Sequence, residues 1–164
     1  MERPESNAFE NVKDQIGSCG IWCGSCIVGN GALMELTERY QKLIAGYGLK
    51  NWGPEDFDFE EFSKGLASIG GIRACSGCLK GGGRDECEIR SCALERNLND
   101  CTACDGRPAC KHGEILEHMR SGARAAGLFV RDTGSDRSGL LARWAVELTS
   151  KWPSCVLFVK NDAD

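Results

Sequence analysis

CSGCLKGGGRDECEIRSCALERNLNDCTACDGRPAC, residues 75–110, sets seven cysteines in 36 residues with the spacing C-x2-C-x8-C-x4-C-x8-C-x2-C-x5-C. Each C-x2-C pair can turn both sulfurs toward one ion, and two such pairs in succession point to metal. Small residues (Ser76, Gly77, Thr102, Ala103) fill the two turns, so the backbone can curl around a sulfur and aim N–H groups at it. The candidate ligands in this stretch are Cys75, Cys78, Cys87, Cys92, Cys101, Cys104 and Cys110.

A second group lies upstream in GSCGIWCGSCIVGNG, where Cys19, Cys23 and Cys26 are spaced C-x3-C-x2-C. Three thiolates at that spacing suit one corner of a four-iron cluster. Radical enzymes that cleave S-adenosylmethionine share the spacing, but they use a barrel of roughly 200 residues or more. This chain has 164 residues and no run of alternating strands and helices.

Composition narrows the class. Eleven cysteines are an odd number, so an all-disulfide scaffold would leave one over. A polar N-terminus and the absence of a long apolar run indicate a cytoplasmic protein with no membrane association, where clustered thiols serve metals rather than disulfides. The net charge of −4 argues against nucleic acid. Aromatics are only 7%, so the apolar core is modest and bound metal would supplement it. The basic residues Arg73, Lys80, Arg84, Arg90, Arg96, Arg107 and Lys111 could offset thiolate charge, or simply form a solvated surface.

Away from the cysteines the patterning is helical. Leu33, Leu36, Tyr40, Leu43, Ile44 and Tyr47 recur at three- and four-residue intervals, which predicts an amphipathic helix over 32–47. Trp52-Gly53-Pro54 punctuates the chain before a second helix carrying Phe57, Phe59, Phe62, Leu66 and Ile69, a stripe expected to be core. EIRSCALER (88–96) favours helix and puts Cys87 at its N-terminus, where the helix dipole favours a thiolate. GEILEHMRSGARAAG (113–127) reads as a third substantial helix. LLARWAVELTSKW (140–152) reads as another, stopped by Pro153. GLFVRD and CVLFVKND suit short extended pieces, and Cys155 suits a buried structural thiol. Gly81-Gly82-Gly83 is a turn between ligands rather than a phosphate cradle. The expected fold is therefore mainly α, four to five helices with small irregular or β metal knuckles. Residues 1–16 form a leader and 17–164 one cysteine-rich domain, of which 121–164 is a helical extension.

His112 could complete a site with Cys101, Cys104 and Cys110, although a surface histidine is the commoner state. His118 sits on a different helix face.

The motifs CGIWCGSC (19–26), CSGCLKGGG (75–83), CEIRSCALERNLNDCTAC (87–104) and Pro108 to Cys110 resemble a prokaryotic cysteine-rich family known only as a domain of unknown function. The resemblance covers about residues 17–120 and implies a metal-binding domain with no settled activity. Members often carry a cysteine where this chain has Arg84, and Pro where it has Ala109.

Ten clustered cysteines do not divide by four. One partition closes a site with Cys75, Cys78, Cys87 and Cys92. Another joins Cys19, Cys23 and Cys26 to one cysteine of the 101–110 group. Three functional classes follow: a zinc-stapled module that binds a protein partner, an iron-sulfur protein (4Fe-4S) for electron transfer or redox sensing, and an enzyme. The last lacks a visible base.

Overall fold

The periodic stretches fold as helices. The computed structural model describes residues 8–106 and 109–151. Its helices are α1 (Ala8–Val12), α2 (Ala32–Gly46), α3 (Leu49–Trp52), α4 (Phe59–Gly70), α5 (Glu88–Glu95), α6 (Gly113–Ala125) and α7 (Arg137–Lys151). Among the described residues, 3-10 turns at Cys23–Ser25, Cys78–Lys80 and Cys101–Ala103 each begin on a cysteine. Ile16 bridges to Trp22 and Ile21 to Val130, both antiparallel, and no strand forms among the described residues. The architecture is mainly α, as the patterning predicts, with α1 and α3 as short additions.

The helix ends follow local chemistry. The Asp58 carboxylate accepts the Glu61 N–H at 2.9 Å and caps α4, a bond worth about 1 kcal/mol. Gly127, at φ 78°, turns the chain out of α6 in a conformation that favours glycine. Cys87 occupies the position before α5, as expected from the sequence.

The main apolar core joins the two ends of the described chain. Trp22 has 0% exposure and stacks on Trp144 of α7, with ring centroids 5.8 Å apart. Phe129 packs on both rings at 5.7 Å, and Ile16, Leu140 and Leu148 complete the cluster. The Trp22 indole N–H donates to the Lys13 carbonyl at 2.6 Å, so its one polar atom is satisfied. A second, smaller set of buried residues, Ile89, Ala93, Leu116 and Ala123, lies on α5 and α6.

Within the stretch 1–16, expected as a leader, Ala8–Val12 is helical and Val12 and Ile16 are buried. Ala8, Phe9, Val12 and Ile16 fall at helical spacing and Phe9 meets Trp22 edge-on, but five residues are too few to hold a helix without that packing. The aromatic stripe of α4 was expected to be core, but none of its residues is buried, and Phe57 just before it is exposed. The helix packs chiefly on α2 and is covered on one side only. Arg107, Pro108, Pro153, Cys155 and the CVLFVKND stretch lie outside the described residues.

Candidate metal centre

The cysteine loops are drawn together by two buried polar residues. Gln15 is 5% exposed, and its carboxamide spans to the distant C-S-G-C turn: Nε2 donates to Ser76 O at 2.9 Å and Oε1 accepts the Leu79 N–H at 3.1 Å. Its carbonyl accepts the Cys23 N–H at 2.9 Å. Ser18 lies between two other loops. Its carbonyl accepts the Cys101 N–H at 2.8 Å, and its Oγ sits 3.8 Å from Cys78 Sγ. The Cys75 N–H donates to Val28 O at 3.1 Å. Segments near residues 15–28, 75–79 and 101 are thereby stitched at one place.

Close approach explains two glycines. A Cβ at Gly82 would come 2.8 Å from Cys75 Sγ and 2.7 Å from the Gly77 nitrogen, and one at Gly17 would come 3.2 Å from Cys78 Cβ. The backbone is wrapped directly around these sulfurs.

Most of the thiols stand in two adjoining sets, with Cys19 close enough to Cys101 to act on it. The Cys23 thiol is raised to about 11, chiefly by burial and in smaller part by charge on Cys78, Cys19 and Cys75, against the lowering effect of the Cys78 N–H on its sulfur. Burial also raises Cys19, with charge on Cys78 and Cys87 adding to it and the Ile21 N–H opposing it. The second group is Cys92, Cys101, Cys104 and Cys110, which line one cavity of about 230 Å³. Cys101 is pushed to about 11 by burial and then by its neighbours Cys110, Cys104 and Cys92. Backbone N–H groups aimed at sulfur, in a crowd of thiols that resists ionisation, form an environment in which a cation would favour thiolates.

Of the basic residues expected to offset thiolate charge, Arg96 does so: its Nη1 lies 3.8 Å from Cys104 Sγ. Arg90 instead holds the carbonyls of Gly82, Arg84 and Asp85 at 2.8–3.0 Å, and Lys80 reaches Asn11 O at 3.0 Å. Two buried pairs stood out only in three dimensions. Arg120, 2% exposed, donates to the carbonyls of Cys19 at 3.2 Å and Arg131 at 2.7 Å. Arg131 pairs with Asp100 at 2.7 Å, and Asp100 in turn caps the Cys101 turn by accepting the Thr102 N–H at 2.8 Å. The sequence signal for Asp100 was its place directly before C-T-A-C, an N-cap position; Gln15, Ser18, Arg120 and Arg131 carried none.

All ten expected ligands, Cys19, Cys23, Cys26, Cys75, Cys78, Cys87, Cys92, Cys101, Cys104 and Cys110, are half-buried free thiols. Cys92 lines one cavity with Cys101, Cys104 and Cys110 and a second, on the other side of α5, with Cys87. The helix sets Cys92 five residues past Cys87, between the two sets of thiols. His112 lines the first cavity, while its Nδ1 lies 3.1 Å from Glu88 Oε2. Among the described residues no group of three or more Cys, His, Asp or Glu side chains is placed to hold a metal ion. The chemistry of the donors, soft sulfurs with N–H groups on them and cationic side chains nearby, is the kind that thiophilic metals take.

Fold and site together define a cysteine-rich, mainly helical protein. Over residues 15–114 the chain matches the family described as Protein of unknown function (DUF3795), and it belongs to that family. No curated protein and no solved structure matches it. The family match stops short of α7, although Trp22 inside it is buried against Trp144 outside it. Among the described residues no helix is long and apolar enough to cross a membrane.

Proposed function

We propose that this protein is a zinc-stapled module, with two groups of cysteine thiolates holding metal for structure and the surface serving a protein partner. The observation that carries the reading is the convergence of cysteine turns from sequence-distant segments. Cys92, Cys101, Cys104 and Cys110 line one cavity, and Cys23 lies near Cys19, Cys75 and Cys78 beside Gln15 and Ser18. Four sulfurs per ion are the usual complement of a closed structural zinc site. The turns at Cys23 and Cys101 support it further. In both, the second cysteine of the C-x2-C pair donates its N–H back to the carbonyl of the first, at 3.1 and 3.3 Å. Bound metal would replace apolar packing in the 75–112 region, where few side chains are buried.

One observation favours a second reading, an iron-sulfur cluster. The cavity of about 230 Å³ that Cys92, Cys101, Cys104 and Cys110 line together with Ile89, Arg96 and Leu116 has room for more than one ion. Elemental analysis with a visible spectrum, on untagged protein purified anaerobically, separates the two. Colourless protein with roughly two zinc atoms per chain is expected. Brown protein with iron and acid-labile sulfide would establish the second reading, and protein free of both would overturn the metal reading altogether.

A further inference from the structure

The face of α2 that leads into α3 is apolar, exposed and rimmed by acid. Leu36, Tyr40, Leu43 and Tyr47 fall on one stripe of α2 at helical spacing, and all four are exposed, Tyr47 at 73%. Trp52, 65% exposed, is fixed against the end of that stripe by its indole N–H, which donates to the Tyr47 carbonyl at 2.7 Å. Phe57 extends the surface through Phe62, with ring centroids 5.1 Å apart, and Phe62 meets Tyr40 at 6.2 Å. An apolar pocket of about 290 Å³ opens on this face between α2 and α4, lined by Ile27, Leu33, Leu36, Thr37, Tyr40 and Leu66. Scattered surface apolar residues need no explanation, whereas a continuous aromatic stripe beside a pocket marks a contact surface.

Charge indicates the occupant. Residues 47–64 hold five acids, Glu55, Asp56, Asp58, Glu60 and Glu61, against two lysines, Lys50 and Lys64. Lys64 is already tied to Glu60 and Glu61 at 3.1 and 2.9 Å. Among the described residues no ion pair engages Glu55 or Asp56, which stand exposed between Trp52 and Phe57. A second copy meeting through the same face would set acid against acid, and an anionic lipid surface would be repelled. A lysine or arginine, by contrast, finds a carboxylate and an aromatic ring side by side.

We propose that this face docks a basic amphipathic helix of a partner protein, its apolar side on the exposed α2 stripe and the pocket between α2 and α4, its cations on Glu55, Asp56 and the Trp52 ring. This deepens the reading of an interaction module and rests on its partner half, not on its metal half. The test is fluorescence anisotropy of a labelled synthetic helix with leucine along one side and lysine along the other, titrated with the metal-analysed protein as purified. An analogue with glutamate in place of lysine serves as control. The basic helix should bind, the acidic one should not, and binding should weaken about tenfold in the Trp52→Ala protein and in the Glu55→Gln/Asp56→Asn protein. These positions are exposed, so the variants keep the helical circular dichroism of the parent. Equal binding of both peptides, binding of neither, self-association through this face in sedimentation, or attachment to phosphatidylserine vesicles would each overturn the proposal. Because metal content is measured on the same sample, a failure here is distinguishable from a failure of the zinc reading.

Discussion

Asp100 is the residue on which the second cysteine group leans. It is 1% exposed, caps the turn that carries Cys101, and neutralises Arg131, whose own side chain is 15% exposed. Removing one member of a buried pair leaves the other uncompensated, which costs about 3–5 kcal/mol. Asp100→Ala should therefore lower unfolding stability by about 3 kcal/mol, the low end of that range because Arg131 keeps some contact with water. Urea denaturation of the metal-loaded protein measures it. The double variant Asp100→Ala/Arg131→Met should lose less than the single one, since no stranded charge remains. A single-variant effect within about 0.5 kcal/mol would place Asp100 among ordinary surface residues. At this scale the cysteines were legible because thiols at C-x2-C spacing have few other uses in one chain. Arg120 and Arg131 were not, because an arginine in sequence is a surface residue by default and nothing local announces that its guanidinium will hold the Cys19 and Arg131 carbonyls or the Asp100 carboxylate.

At the scale of elements, α5 decides which cysteines meet. Cys87 lies before its first residue and Cys92 within its second turn, so the helix passes one thiol toward Cys19 and the other to the cavity with Cys101, Cys104 and Cys110. Cys104→Ser should then remove metal from its own group only. Cys78→Ser should remove it only from the group of Cys19, Cys23 and Cys75. Elemental analysis of each purified variant should find about half the parent metal. Complete loss in either variant would mean one shared centre joined through Ser18, and full retention in both would exclude these sulfurs as ligands. The long helices α2, α4, α6 and α7 were readable because their apolar residues keep a 3.6-residue period over ten or more positions. The periodicity did not say what would cover each face. It reads the same for α7, which buries Leu140, Trp144 and Leu148, as for α4, which buries none of its residues.

For the whole molecule, apolar packing and cysteine packing occupy different regions. The Trp22, Phe129 and Trp144 cluster unites α1, the 16–22 loop and α7, whereas residues 75–112 contribute to burial mainly Ile89, Ala93, Asp100 and Thr102. A fully buried side chain of the first kind contributes about 1.5–3 kcal/mol, so the tryptophan cluster can hold its elements without metal. The cysteine region has no comparable reserve: its thiols Cys23 and Cys101, held near 11, are protonated at neutral pH unless a cation draws them into ionisation. Stripping metal with a chelator under reducing conditions should therefore unfold the molecule unevenly. Amide hydrogen exchange followed by mass spectrometry should show protection lost across 75–112 and retained in α7 and around Trp22, and near-ultraviolet circular dichroism from the stacked Trp22 and Trp144 should persist. Uniform loss of protection would mean that Gln15 and Ser18 couple the two regions into one cooperative unit. Unchanged protection would mean that the cysteine turns are held by their hydrogen bonds alone, and that metal, if bound, has a task other than holding the fold.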